Sequence, residues 1–363
     1  MAATISYDNT TVPFRPIFED SIAFFPDPQQ NDTDIYPEIS RLVRVIVPLC
    51  FGIIAVTGFF GNILVILVVL LNQQMHSTTN LLIVNLAMAD LLFVVFCIPF
   101  TATDYVADTW PFGDLWCRIV QYLIVVTAFA SIYTLVLMSI DRFLAVVHPI
   151  RSRMLRTEKI TKICICTIWG VILAISVPVA ATHGVVVSQK GNLEYFLEMC
   201  QFMQNSFLSL SVYQMIFFAS SYLLPLMVIS GLYMRMITSL WRHGTSVRMS
   251  MESQRGRKRV TRLVVVVVIA FASLWLPVQL ILLLKALDIY QTTTKLTVIL
   301  QIIAQTLAYT SSCINPVLYA FLSDNFRKAF HKAINCTKRF QDYTSDLPPA
   351  RKTSYARTST TGV

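Results

Sequence analysis

Charge is what this sequence has least of. Asp, Glu, Lys and Arg together make up 13% of it, whereas soluble domains carry about 25%. With a mean hydropathy of +0.61, the composition is far from that of an ordinary soluble domain. Catalytic signatures are missing too: there is no His/Glu metal pattern and no Gly-x-Ser-x-Gly nucleophile elbow, which argues against an enzyme. No internal duplication of the kind common in secondary transporters is visible. Ahead of the first apolar stretch there is no basic n-region followed by a short apolar run, so no cleavable signal peptide is expected.

What the chain has is apolar length. Seven stretches, 45–71, 81–100, 119–140, 163–181, 207–234, 263–284 and 296–322, are long enough to cross a bilayer, which takes about 20 residues of helix. Lipid offers no partner to backbone N–H and C=O groups, so a spanning segment satisfies them internally as a helix. A soluble protein with seven buried apolar helices is the alternative, and runs this free of charge count against it. The expected fold is an all-α membrane protein, a seven-transmembrane helix bundle. The expected organisation is a glycosylated outer tail (1–41), a membrane domain (42–322), a short amphipathic helix (323–336) and a cytoplasmic tail (337–363).

Basic residues give the orientation. The first tail and the loops after the second, fourth and sixth stretches hold six Lys or Arg, with Arg44 at the membrane edge; the opposite side holds 22. Lys and Arg are retained in cytoplasmic loops, which puts the N-terminus outside and the C-terminus inside. The net charge of +9 therefore reflects topology and contact with lipid or a cytoplasmic partner, not nucleic acid. Asn9-Thr10-Thr11 and Asn31-Asp32-Thr33 are glycosylation patterns on the outer side, and the plasma membrane is the expected location.

Asp90 is the one charged side chain inside the seven stretches. An intramembrane carboxylate is costly and faces the bundle interior with a partner, either as a functional group or as a packing device. Asn62, Ser131, Ser312 and Asn315 are candidate partners. Asn315-Pro316-Val317-Leu318-Tyr319 breaks the seventh helix, because proline removes a backbone donor, and Pro178, Pro225 and Pro277 fall in three others. Asp141-Arg142-Phe143 closes the third stretch; alone it would read as a snorkelling end pair.

Such motifs occur in order, one per helix and one in the loop before the third: Gly61-Asn62, Leu86-Ala87-Met88-Ala89-Asp90, Trp110-Pro111-Phe112-Gly113 before Cys117, Asp141-Arg142-Phe143, Trp169, Pro225, Phe271 to Pro277 with Trp275, and Asn315 to Tyr319. Over residues 42 to about 335 the chain resembles the rhodopsin-like class of G-protein-coupled receptors. Phe143 stands where that class usually has Tyr, and Leu274 where it usually has Cys. The stretch 101–154 is similar to the galanin-receptor-related peptide receptors, most like the insect allatostatin-A receptors, which implies an amidated neuropeptide ending Phe-Gly-Leu-amide.

The resemblance implies further roles. Cys117 and Cys200, the outer two of eight cysteines, would form a disulfide. Asp90, Ser131, Ser312 and Asn315 would hold an allosteric sodium ion. Asp141, Arg142, Tyr233, Trp275, Pro277, Asn315 and Tyr319 would form the activation switch that admits a heterotrimeric G protein, expected to be Gi/o. Residues 119–139 of the third stretch hold no Asp or Glu to pair with a biogenic amine, and residues 296–322 hold no Lys for a retinal Schiff base; by the resemblance, Tyr309 stands at that position. Gln121, Gln279, Gln301, Gln305 and Tyr309 are expected to give an uncharged polar cavity, with Ile124 and Trp275 as its apolar surfaces; another peptide or a lipid is the alternative ligand, and a transporter the remote alternative function.

On the inner side, Phe326, Phe330 and Ala333 oppose Arg327, Lys328 and Lys332, and Cys336 follows as a palmitoylation candidate. Eight Ser and Thr between Thr344 and Thr361 offer sites for a receptor kinase and hence arrestin, and Thr361-Gly362-Val363 fits a PDZ groove.

Overall fold

A computed structural model describes residues 37–107, 109–189, 196–203, 206–242, 251–291, 294–322 and 326–328. Seven helices are long and apolar enough to cross a membrane: Val43–Leu71, Thr78–Thr103, Gly113–Val147, Glu158–Thr182, Leu210–Ser239, Thr261–Ala286 and Lys295–Leu322, numbered here first to seventh. Asn9, Asn31, Cys336 and the segment 337–363 lie outside the described residues, as does the expected eighth helix apart from 326–328.

Three helix starts are capped by the sequence itself. The Ser77, Thr157 and Ser209 hydroxyls accept from the backbone N–H groups of Asn80, Ile160 and Val212 at 3.2, 3.3 and 3.3 Å, satisfying donors that have no intrahelical acceptor. Several helices also outrun their apolar stretches. The first begins at Pro37, ahead of the boundary at 42; the fifth continues to Arg242 and the sixth starts at Met251.

Prolines shape the interior. The second helix breaks at Cys97, between Thr78–Phe96 and a final turn Ile98–Thr103 that carries Pro99 in its first turn. In the fifth, Pro225 cannot donate to the carbonyl of Ser221 and its ring crowds it, so the turn Ala219–Leu223 widens to a π-helix.

The first helix shows how the bundle sits in its solvent. Leu49, Ile53, Val56, Phe60 and Leu67 recur every three, four or seven residues and stand 47–65% exposed, while Val47, Phe51, Ile54, Val65 and Val68 are buried. An exposed stripe of that size is unfavourable in water and neutral against lipid tails. Buried amides tie the helices together: Asn62 Nδ2 donates to Ser312 O at 2.8 Å, and Asn85 donates to Thr134 at 2.7 Å while accepting from Trp169 Nε1 at 2.9 Å.

Between the fourth and fifth helices lies an antiparallel hairpin, His183–Gln189 with Phe196–Phe202, in a register that sets Val185 opposite Cys200. It adds a small sheet to the expected helical bundle. The Cys117–Cys200 disulfide joins it to the third helix, beside a cluster of Trp110, Val120 and Val185. Val185 N–H donates to Asp114 Oδ1 at 2.9 Å, and Trp110 N–H donates to Glu198 O at 2.7 Å.

Candidate functional site

Beneath the hairpin is a cavity lined by Thr101, Asp104, Tyr105, Trp110, Val120, Gln121, Ile124, Cys200, Gln305 and Tyr309. Its polar wall is a chain of hydrogen bonds across the second and seventh helices. Tyr105 Oη donates to Gln305 Oε1 at 2.8 Å, Gln305 Nε2 donates to Tyr309 Oη at 3.2 Å, and Tyr309 Oη donates to Thr101 Oγ1 at 3.3 Å. Phe51 and Phe93 pack on the Tyr309 ring, both with centroids 4.9 Å away, so the phenol is held on both flanks.

Of the expected ligand-contacting residues, Gln121, Ile124, Gln305 and Tyr309 line this cavity, and Trp275, Gln279 and Gln301 do not. Gln279 is fully buried and donates to Ser221 Oγ at 3.0 Å, since the π-turn aims that hydroxyl at the sixth helix. Trp275 donates to Ser311 Oγ at 3.0 Å and stacks on Phe271, and Gln301 is buried outside the lining. Three polar lining residues were not foreseen: Thr101, Asp104 and Tyr105, all brought in by the turn that Pro99 starts. The expectation of an uncharged cavity is corrected by Asp104. Burial pushes its carboxyl up to about 7, because desolvation disfavours the charged form.

Deeper in the bundle, Asp90 accepts from Ser131 Oγ at 3.2 Å and from Asn315 Nδ2 at 2.8 Å. Ser312, named with them, uses its backbone carbonyl to hold Asn62. A carboxylate beside a hydroxyl and an amide is an oxygen-rich donor set of the kind that suits a small hard cation. No cluster of three or more His, Cys, Asp or Glu occurs among the described residues, so the charge available here matches a monovalent ion better than a divalent one.

At the end of the bundle away from the hairpin, Asp141 and Arg142 are buried and ion-paired to each other. Asp141 also accepts from Thr78 and Thr79 at 3.1 and 2.9 Å, and from Arg156 Nε at 2.6 Å. Tyr233 packs with the inner core, and Tyr319 is fully buried with its ring stacked on Phe326. Among the described residues no hydrogen bond joins Arg142 to either tyrosine. Pro277 lies inside the sixth helix, two turns or less from Trp275 and Gln279.

The sequence profile described as the seven-transmembrane receptor of the rhodopsin family matches residues 61–319. The chain is 54% identical over 319 residues to the allatostatin-A receptor of Bombyx mori, covering 87% of each chain. It is 39% identical over 288 residues to galanin receptor type 2 of Mus musculus, covering 79% of this chain and 76% of the relative. To galanin receptor type 1 of Homo sapiens it is 36% identical over 303 residues, covering 83% and 85%.

Proposed function

This chain belongs to the rhodopsin family of seven-transmembrane receptors, and from that premise we propose that it is activated by amidated neuropeptides of the allatostatin-A and galanin-like kind. It is a multi-pass membrane receptor and not an enzyme. The observation that carries the ligand class is its likeness to receptors named for allatostatin-A and galanin, set beside the cavity that the Cys117-anchored hairpin roofs. A carboxamide meets both donors and acceptors in Gln121, Gln305, Tyr309 and Thr101. A carboxylate would meet Asp104 and no Lys or Arg among the lining residues, a charge desolvated without a partner.

In the plasma membrane the N-terminus lies on the outer side, with Asn9 and Asn31 as glycan acceptors, and the C-terminus on the cytoplasmic side. Agonist favours the arrangement in which Arg142 leaves Asp141, Trp275 and Pro277 swing the sixth helix, and Tyr233 and Tyr319 rearrange to admit a heterotrimeric G protein of the Gi/o type. Differential affinity for that arrangement is all the ligand needs to supply. Asp90, Ser131, Ser312 and Asn315 would hold a sodium ion, whose charge would stabilise the resting arrangement. Receptor kinase and arrestin act on the Ser/Thr-rich tail, a PDZ protein on Thr361-Gly362-Val363, and palmitate on Cys336.

The test is a matched pair of Phe-Gly-Leu peptides, amide and free acid, in a nucleotide-exchange assay on cells expressing the chain. The amide should activate, and the acid should be weaker by at least about tenfold, roughly 1.4 kcal/mol. Equal potency removes the carboxamide argument, and silence of both removes the ligand class.

A further inference from the structure

Asp104 is the one formally charged side chain in the cavity lining. It sits just past the outer end of the second helix, where the final turn Ile98–Thr103 ends. Its neighbours in the wall spend their polar atoms on one another: Tyr105 on Gln305, Gln305 on Tyr309, Tyr309 on Thr101. None of those bonds reaches the Asp104 carboxyl, and among the described residues it has no hydrogen-bond or ion-pair partner. No Lys or Arg is among the lining residues, and Arg118 on the third helix is engaged elsewhere, with Asp114 at 2.7 Å and with Ala180 O at 3.1 Å.

A half-buried carboxyl with neither water in full measure nor a cation is an unfavourable arrangement that a stabilised protein would replace. The penalty shows as the raised proton affinity already described. A ligand that brings a positive charge to this atom relieves the penalty and gains a charge-assisted hydrogen bond in a low-dielectric setting. In the reading above the uncharged polar residues of the lining take the carboxamide, so Asp104 offers a second, different chemistry in the same cavity.

Resting on the peptide reading above, we propose that Asp104 is a specificity-determining residue that binds a cationic group of the ligand, an ammonium or a guanidinium, separate from the groups that take its terminal amide. The ligand class is thereby narrowed to peptides that carry a positive charge as well as an amidated end.

The experiment is a double-mutant cycle between receptor and peptide. One partner series is Asp104 against Asp104→Asn, which keeps size and hydrogen bonding while deleting the charge. The other is a Phe-Gly-Leu-amide peptide carrying one arginine and a free N-terminus, against analogues with citrulline for arginine, with an acetylated N-terminus, or with both. On the parent receptor, removing the charge that Asp104 binds should weaken binding at least tenfold; on Asp104→Asn the same removal should change it less than twofold. Losses of equal size on both receptors, or none on either, overturn the proposal. The pattern across the two single analogues identifies ammonium or guanidinium.

A second arm uses no peptide. Benzylguanidinium and its neutral isostere benzylurea are compared by thermal shift of the purified receptor. The cation should stabilise the parent more than the isostere does, and that excess should vanish in Asp104→Asn; no excess in the parent overturns the proposal. If no amidated peptide activates the parent, the neuropeptide reading fails by itself, and this arm still decides Asp104.

Discussion

At the scale of single residues, what matters is which polar atoms are paired. Asp104 makes the pH dependence of stability predictable. Its carboxyl titrates near 3.8 when unburied and at about 7 in the fold, so between those values the folded protein holds a proton that the unfolded chain has released. Stability therefore falls as pH rises through that window. The phenols facing it, Tyr105 and Tyr309, belong to a side-chain type that ionises near 10 and do not interfere. His183, which burial pushes down to about 4, contributes the opposite slope in parent and mutant alike, so the difference is the readout. The thermal midpoint of Asp104→Asn minus that of the parent should grow from about pH 5 to about pH 7.5, measured on detergent-solubilised receptor; a flat difference would show that the carboxyl is not desolvated. Asp90→Asn should leave the protein folded and abolish the effect of sodium on agonist affinity, since it deletes the charge that, in the proposed function, would hold the ion beside Ser131 and Asn315, which hydrogen-bond the carboxylate. Identical sodium dependence in mutant and parent would place the ion elsewhere. Asp90 was legible in the sequence because a carboxylate inside an apolar run has no bland surroundings. Asp104 was not, because it stands four residues beyond such a run and reads as loop; only the turn started by Pro99 carries it into the cavity.

At the scale of elements, helix lengths and order were legible and their ends and irregularities less so. A run of apolar residues specifies a spanning helix almost by itself. The same hydrophobic signal cannot say which face meets lipid, because lipid and core are equally apolar. That is why Gln279 and Gln301, placed by their level in the membrane, turn out to lie off the cavity lining. The hairpin had a signal of its own, the β-branched Val185-Val186-Val187 after Gly184, which a reading tuned to long apolar runs passes over. Close packing of the first helix on the seventh gives an element-scale prediction. A Cβ on Gly61 would stand 3.0 Å from two ring carbons of Pro316, and a pyrrolidine ring cannot rotate away as a flexible side chain would. Gly61→Ala should therefore destabilise by about 1–3 kcal/mol, the usual scale for overpacking, seen as a lower thermal midpoint and lower surface expression. A midpoint equal to the parent's would mean that the helix pair has slack the distance does not show.

For the whole molecule, the question is how far the two arrangements of the bundle differ in free energy. If the open one is populated at about 1:99, an agonist needs about 10⁴-fold preference, roughly 5.5 kcal/mol, to reverse the ratio. Small changes at the inner end should therefore register as basal signalling long before they unfold the protein. Asp141 is the place to look, since it collects two threonine hydroxyls and two arginines. Arg142 is one of those arginines and, in the proposed mechanism, the group that leaves. Arg156, partly exposed, is the other, and it holds the carboxylate in position without being needed for G-protein contact in the proposed mechanism. A charge pair in that setting contributes about 1 kcal/mol. Losing it should raise the open population about fivefold, since about 1.4 kcal/mol is tenfold, while leaving the cavity lining, which does not include Arg156, untouched. Arg156→Ala should thus increase agonist-independent nucleotide exchange severalfold with little change in maximal response, read against receptor number at the cell surface. The sign separates the two roles this arginine could have. A positioning role for Asp141 gives higher basal exchange, whereas a direct role in G-protein contact gives a lower maximum with basal exchange unchanged, and that second result would reject the lock.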